Sequence, residues 1–182
     1  MKIKLTNVRL AFPALFKAKQ VNGEGDARFS AALLIDPQDK QVAQINKAIE
    51  QVAQDKWGDK AANVLKQLRT GDKTALHDGD LKEDYDGFAG MLYVSAASKV
   101  RPLVIDKDKS PLTEEDGKPY AGCYVNVSLD LWAQDNKYGK RINASLAGVQ
   151  FAKDGDAFVG GGVADVDEFD DLSDGTDASD LV

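Results

Sequence analysis

The sequence predicts a mainly β domain with inserted helices, an OB-fold-like five-stranded barrel followed by a disordered acidic C-terminal tail. Three observations carry that expectation. Apolar residues alternate with period two at both ends of the body, a single pair of helical patterns interrupts them, and no basic residue follows Lys153. The boundaries expected from this are a domain over residues 1–158 and a tail over residues 159–182.

Ile3 and Leu5, followed by Val8, Leu10 and Phe12, exchange faces near Asn7, as a first strand with a bulge would. Phe29, Ala31, Leu33 and Ile35 mark a second strand. Asp36 and Pro37 then supply an N-cap and a first-turn proline, and Val42, Ile45, Ile49 and Val52 recur at helical spacing up to Gly58. A shorter helix over residues 60–68 would bury Val64, Leu65 and Leu68. Residues 70–90, rich in Gly and Asp, read as a loop. Strands resume over residues 91–100 and 102–106. The clearest element is last, two alternating runs over residues 123–133 and 140–149 around a five-residue turn from Asp135 to Gly139, the pattern of a β-hairpin.

Composition removes several functions. One cysteine, Cys123, and one histidine, His77, cannot make an internal disulfide or a Cys/His zinc site. The longest apolar run, residues 31–35, is far too short to cross a bilayer, and the first ten residues hold no signal-peptide core, so a soluble protein of the cytoplasm is expected, with no membrane partner. Neither a Walker A pattern nor a nucleophile elbow is present. Asp106, Asp108 and Ser110 open like a calcium loop, but Pro111 stands where its turn glycine belongs and Gly117 where its bidentate glutamate belongs. No catalytic residue, metal ligand or cofactor is assigned.

The net charge of −7 opposes nucleic-acid binding only if it is evenly spread. It is not. Ten acids lie between Asp154 and Asp180 with no base among them, which leaves 20 acids against 23 Lys and Arg, so the body carries +3 and the tail −10. Such a tail, rich in Asp, Ser and Gly after Gly160, Gly161 and Gly162, buries too little apolar surface to order itself. It serves as a solubilising segment or as an interaction or autoinhibitory one.

On the hairpin, Cys123, Val125, Val127, Leu129 and Leu131 share one face and leave Tyr124, Asn126, Ser128, Asp130 and Trp132 on the other. Arg141, Asn143 and Ser145 alternate with Ile142, Ala144 and Leu146, and Tyr93 and Lys99 oppose Leu92, Val94 and Ala96. Aromatic rings beside Lys and Arg on an exposed sheet suit unpaired bases and their phosphates. The loops expected after the first strand (Phe12, Phe16, Lys17, Lys19) and at the hairpin tip (Lys137, Tyr138, Lys140) flank the groove of an OB-fold. The alternative for each ring is packing beneath a helix or loop, and for each lysine an ordinary solvated surface. A rival chemistry lies in Asp78, Asp80, Glu83, Asp84 and Asp86, carboxylates of the type a Mg²⁺-dependent nuclease uses. An acidic DNA mimic is the third alternative.

The stretch YAGCYVNVSLDLWAQDNKYGKRINASLAGVQF, residues 120–151, resembles a family of phage single-stranded-DNA-binding proteins, as does YDGFAGMLYVSAASKVRPLVIDKD, residues 85–108. With the opening residues 5–16 and the acidic end, the resemblance covers nearly the whole chain. It implies an OB-fold and sequence-independent binding of single-stranded DNA in phage DNA replication or recombination within the bacterial host. It also implies a tail that covers the groove or recruits replication proteins. The DNA contacts it implies are Tyr93, Lys99, Arg101, Tyr124, Trp132, Tyr138 and Arg141. Comparable tails often end in an aromatic residue gripped by a partner, whereas this one ends Leu181-Val182. Neither pattern nor resemblance sets an oligomeric state.

Overall fold

Five long strands carry the alternating segments in the computed structural model, which describes residues 1–21, 24–158 and 169–173. They are β1 (Lys2–Val21), β2 (Glu24–Ile35), β4 (Leu92–Ser98), β6 (Tyr124–Asn136) and β7 (Gly139–Lys153). Two three-residue strands, β3 (Leu76–Asp78) and β5 (Leu103–Ile105), complete a seven-stranded sheet of order β3-β4-β2-β1-β6-β7-β5. Among the described residues only the β5–β7 pairing is parallel. The sheet curls until β4 lies against β7. No ladder joins those two strands among the described residues, so the order is that of a partly open barrel with a seam. At the seam Ile142 N–H donates to the Lys73 carbonyl at 3.0 Å.

The inward face carries the core. Leu5, Leu10, Leu33, Leu129, Leu131, Ile142 and Leu146 are all at most 1% exposed. Helix α1 (Gln41–Trp57) contributes Ile45, Ala48, Ile49, Val52 and Ala53, and α2 (Ala61–Thr70) contributes Ala61, Leu65 and Leu68. Cys123 belongs to the same core, and burial pushes its thiol up to about 11.

The expected bulge is present: the β1–β6 register shifts between Leu5 and Val8, and Asn7 has φ 54°. Asn7 N–H, turned out of the ladder, donates to Asn126 Oδ1 at 2.9 Å, and Thr6 N–H donates to Gln41 Oε1 at 2.7 Å. The second bond ties the start of α1 to the bulge.

Three local expectations are corrected. The helix begins at Gln41 rather than at Pro37, because Asp36 accepts from Gln38 N–H at 2.8 Å and Asp39 from Gln41 N–H at 2.9 Å, closing two turns before the helix. The hairpin turn has two residues, Lys137 and Tyr138, not five. Asn136 pairs with Gly139, whose φ of 111° suits glycine, and Asn136 Oδ1 accepts from Tyr138 N–H at 3.0 Å. Phe16, Lys17 and Lys19 lie in β1, which continues with β2 as a two-stranded arm. Solvent reaches both faces of that arm, so its residues show no apolar alternation.

A second, smaller apolar cluster lies on the outer face, formed by Ala11, Ala32, Leu34, Phe88 and Tyr93 beneath residues 79–91. Residues 154–158 return along this side. Phe158 N–H donates to the Ala121 carbonyl at 3.0 Å, and Arg9 reaches the carbonyls of Gly122 and Asp156 at 2.9 and 2.7 Å. The tail expected from residue 159 lies outside the described residues, except for 169–173. No helix among the described residues is long and apolar enough to cross a membrane.

Candidate nucleic-acid interface

Because β4 leans on β7 without pairing, their outward residues face one another across a groove of about 680 Å³. Alternation decides which residues these are. On β4, Val94 and Ala96 enter the core, which leaves Ser95 and Ala97 outside, with Lys99 one residue past the end of the strand beside them. On β7, Ile142, Ala144 and Leu146 enter it, which leaves Arg141, Asn143 and Ser145 outside. The two-residue turn extends the hairpin, so that Trp132, Gln134 and Asn136 complete that wall and Tyr138 stands at its tip. Arg28 of β2 and His77 of β3 close the other side.

The electrostatics differ sharply from the chain as a whole. Arg28, Lys99 and Arg141 line the groove, and among the described residues no carboxylate does. Arg28 and Arg141 make no ion pair among the described residues. Lys99 pairs with Asp26 at 2.9 Å, and that hydrogen bond and charge hold the Asp26 carboxyl below the usual range. Both side chains are about two-thirds exposed, so the pair is screened and open to displacement by another anion.

Trp132 is 43% exposed, with its Nε1–H donating to Ser145 Oγ at 3.0 Å. Asn143 donates to Gln134 Oε1 at 2.9 Å, so polar cross-strand bonds surround the indole. Tyr138 is 78% exposed, and Lys137 Nζ lies 5.0 Å from its ring centroid. The groove thus combines exposed rings, fixed amides and three cations, two of them outside any ion pair among the described residues, the chemistry that takes stacked bases and backbone phosphates.

Of the seven expected contact residues, four come together here: Lys99, Trp132, Tyr138 and Arg141. Three stand elsewhere. Tyr93 is 5% exposed, stacked on His77 at 4.9 Å and covered by Phe88 at 5.2 Å, and burial together with the charge of Asp72 raises its phenol. Tyr124 is half-buried between Lys153, 4.6 Å from the ring, and Arg9, 5.7 Å from it, with Gly155 against its edge. Arg101 lies beyond β4, its guanidinium 5.7 Å from the Phe16 ring at the arm. Arg28 and His77 were not among the expected residues, although Arg28 opposes the buried parity of Ala31 and Leu33.

In the acidic loop, two of the five carboxylates hold the loop's own backbone. Asp78 accepts from Asp80 N–H at 2.9 Å, and Asp80 accepts from Gly90 N–H at 2.8 Å. No three His, Cys, Asp or Glu side chains among the described residues are grouped to hold a metal ion.

The family model described as "Enterobacter phage Enc34, ssDNA-binding protein" matches residues 1–182. "Putative protein p50" of Acyrthosiphon pisum secondary endosymbiont phage 1 is 52% identical over 177 residues, 95% of each chain. The single-stranded DNA-binding protein of bacteriophage Enc34, solved in complex with ssDNA, superposes with a TM-score of 0.71 at 30% identity, covering 86% of this chain and 88% of that one. The fold is shared with gp2.5, a single-stranded DNA-binding protein encoded by bacteriophage T7, at a TM-score of 0.53 and 14% identity over 90% of this chain and 97% of that one. This chain belongs to the Enc34 single-stranded-DNA-binding protein family.

Proposed function

We propose that this member of the Enc34 family binds single-stranded DNA without sequence preference in phage DNA replication or recombination, in the cytoplasm of the bacterial host. It binds the strand and does not cut it. The observation that carries this reading is the groove between β4 and β7: three cations and two exposed rings with no lining carboxylate among the described residues, in a chain whose net charge is −7. Bases stack on Trp132 and Tyr138 while phosphates meet Lys99, Arg141 and Arg28. Stacking supplies roughly 1 to 3 kcal/mol per base and is indifferent to sequence. The solved complex of the Enc34 protein with ssDNA supports the choice of ligand.

The two-part organisation, a binding body over residues 1–158 and an acidic tail over 159–182, gives the tail a role on the same reading. A polyanion tethered beside a cationic groove competes with DNA at high effective concentration. A basic replication protein is an alternative partner for it.

Titration of labelled oligo-dT and of a duplex of equal length, each in Mg²⁺, tests the reading. Oligo-dT binds more tightly than duplex and stays intact. Tighter duplex binding or cleavage overturns it. A chain ending at Gly160 binds oligo-dT more tightly than the full chain, most clearly at low salt where screening is weakest. Equal affinity of the two chains at low salt removes the competing-tail role and leaves DNA binding standing.

A further inference from the structure

Away from the groove, the outer face of the barrel displays two aromatic rings that no part of the described chain covers. Phe12 is 49% exposed and Tyr85 is 52% exposed, and their rings meet edge to face with centroids 5.0 Å apart. Leu81, on the same loop as Tyr85, is 65% exposed.

The pair is held in place from below. Phe88, 1% exposed, lies 5.6 Å from Phe12 and 6.2 Å from Tyr85 and roots both in the outer cluster. The loop that carries Tyr85 is pinned at its ends by Gly79 N–H donating to the Met91 carbonyl at 2.7 Å and by the bond from Gly90 to Asp80. At Gly79 an added Cβ would sit 2.2 Å from the Phe88 carbonyl oxygen, so the backbone packs too closely there for a side chain. At Phe12 the backbone takes φ 47°, a conformation a bulky residue rarely adopts, and it turns the ring outward from β1. Two apolar rings fixed in advance at a protein surface form a contact with little left to order on binding.

Charge decides what that contact takes. Glu83 and Asp84 directly precede Tyr85, both are exposed, and neither has an ion-pair or hydrogen-bond partner among the described residues. DNA and the chain's own acidic tail are polyanions, and both are repelled here. A cationic segment is attracted, and arginine suits the site best, because its planar guanidinium stacks on an aromatic face while pairing with a carboxylate.

We propose that the Phe12–Tyr85 patch, flanked by Glu83 and Asp84, is a docking site for an arginine-rich segment of another protein. None of these four residues lines the groove between β4 and β7, so a partner seated here leaves that groove open to the strand.

The test titrates a fluorescent arginine-glycine repeat decapeptide, and its lysine counterpart, into the full-length protein and its variants. Phe12→Asn removes a ring and installs a residue that tolerates positive φ, Tyr85→Ser removes the other ring, and the double variant Glu83→Gln/Asp84→Asn removes the charge. Circular dichroism and a thermal melt establish that each variant is folded. Expected are a loss of peptide affinity of about fivefold or more for each ring, about threefold or more for the double charge variant, weaker binding of the lysine peptide, and oligo-dT affinity within twofold of wild type. Peptide affinity unchanged in all three variants assigns the peptide to the acidic tail and overturns the proposal. A tenfold loss of oligo-dT affinity in the ring variants makes the patch part of the DNA track and overturns it equally. A protein that fails to bind oligo-dT in every form would instead refute the groove reading.

Discussion

Trp132 and Ser145 form a diagonal pair across the β6–β7 hairpin, the indole N–H donating to the serine hydroxyl at 3.0 Å, while 43% of the tryptophan remains exposed. The bond fixes the ring's rotation and leaves ring surface free. Trp132→Ala should therefore weaken oligo-dT binding by roughly 1 to 3 kcal/mol. Thermal stability should fall little, because the side chain is not part of the core. Ser145→Ala keeps the ring and frees its rotation, so its loss of affinity should be smaller. Fluorescence titration and a melting curve on the same samples check both. Unfolding of Trp132→Ala, or unchanged affinity, would show the ring to be structural.

Arg141 carries a different kind of information. It lines the groove without an ion pair among the described residues, so it holds its full charge for a phosphate. Replacing it with Ala should lower affinity for all sequences alike and make the log-log salt slope shallower by about 1. Titrations of wild type and variant over a range of salt concentrations read the slope. An unaltered slope would place Arg141 outside the phosphate track.

Lys99 is the cation that is partly occupied. Asp26 holds it at 2.9 Å, and its carboxyl, kept below its ordinary range by Lys99, is charged at any pH near neutrality. DNA must displace that carboxylate. Asp26→Asn should tighten oligo-dT binding about two- to threefold at low salt, and the gain should fade as salt screens the exposed pair. Lys99→Ala should cancel the gain in the double variant. Weaker binding by Asp26→Asn would mean that the ion pair positions Lys99 for DNA instead of competing for it.

The faces of the sheet were legible in the sequence, but what covers those faces was not. Strict alternation places Trp132, Tyr124 and Tyr93 all on outward positions, and all three are there. Trp132 stays open, whereas Tyr124 is covered by Arg9 and residues 154–158, and Tyr93 by the loop carrying Phe88. Those covers come from distant parts of the chain and have no periodicity of their own. The bulge at Asn7 was visible because the apolar face switches there, while the onset of α1 was misplaced because Asp36-Pro37 builds a turn as readily as a cap. Arg28 and His77 reach the groove only because β2, β3 and β4 lie side by side, a juxtaposition that spacing along the chain does not encode.

Tyr93 provides the test that separates ring burial from ring function. Its ring is sandwiched between His77 and Phe88 at 4.9 and 5.2 Å, and burial, with the nearby charge of Asp72, raises its phenol above the ordinary value of 10.0. Removing a buried ring of this size costs about 3 to 5 kcal/mol, so Tyr93→Ala should unfold at markedly lower denaturant. Tyr93→Phe keeps the packing and should keep both stability at neutral pH and oligo-dT affinity. The sign of the pH effect follows from the raised phenol: unfolding lets the tyrosine ionise near its ordinary value, so the native state loses stability as pH climbs past about 10. Tyr93→Phe has no proton to release and should lose less stability than wild type over that range. Denaturant melts of the two proteins at neutral pH and above pH 10 read the difference directly. A tenfold loss of oligo-dT affinity in Tyr93→Phe, with stability intact, would return Tyr93 to the DNA interface and show that the loop over it opens when DNA binds.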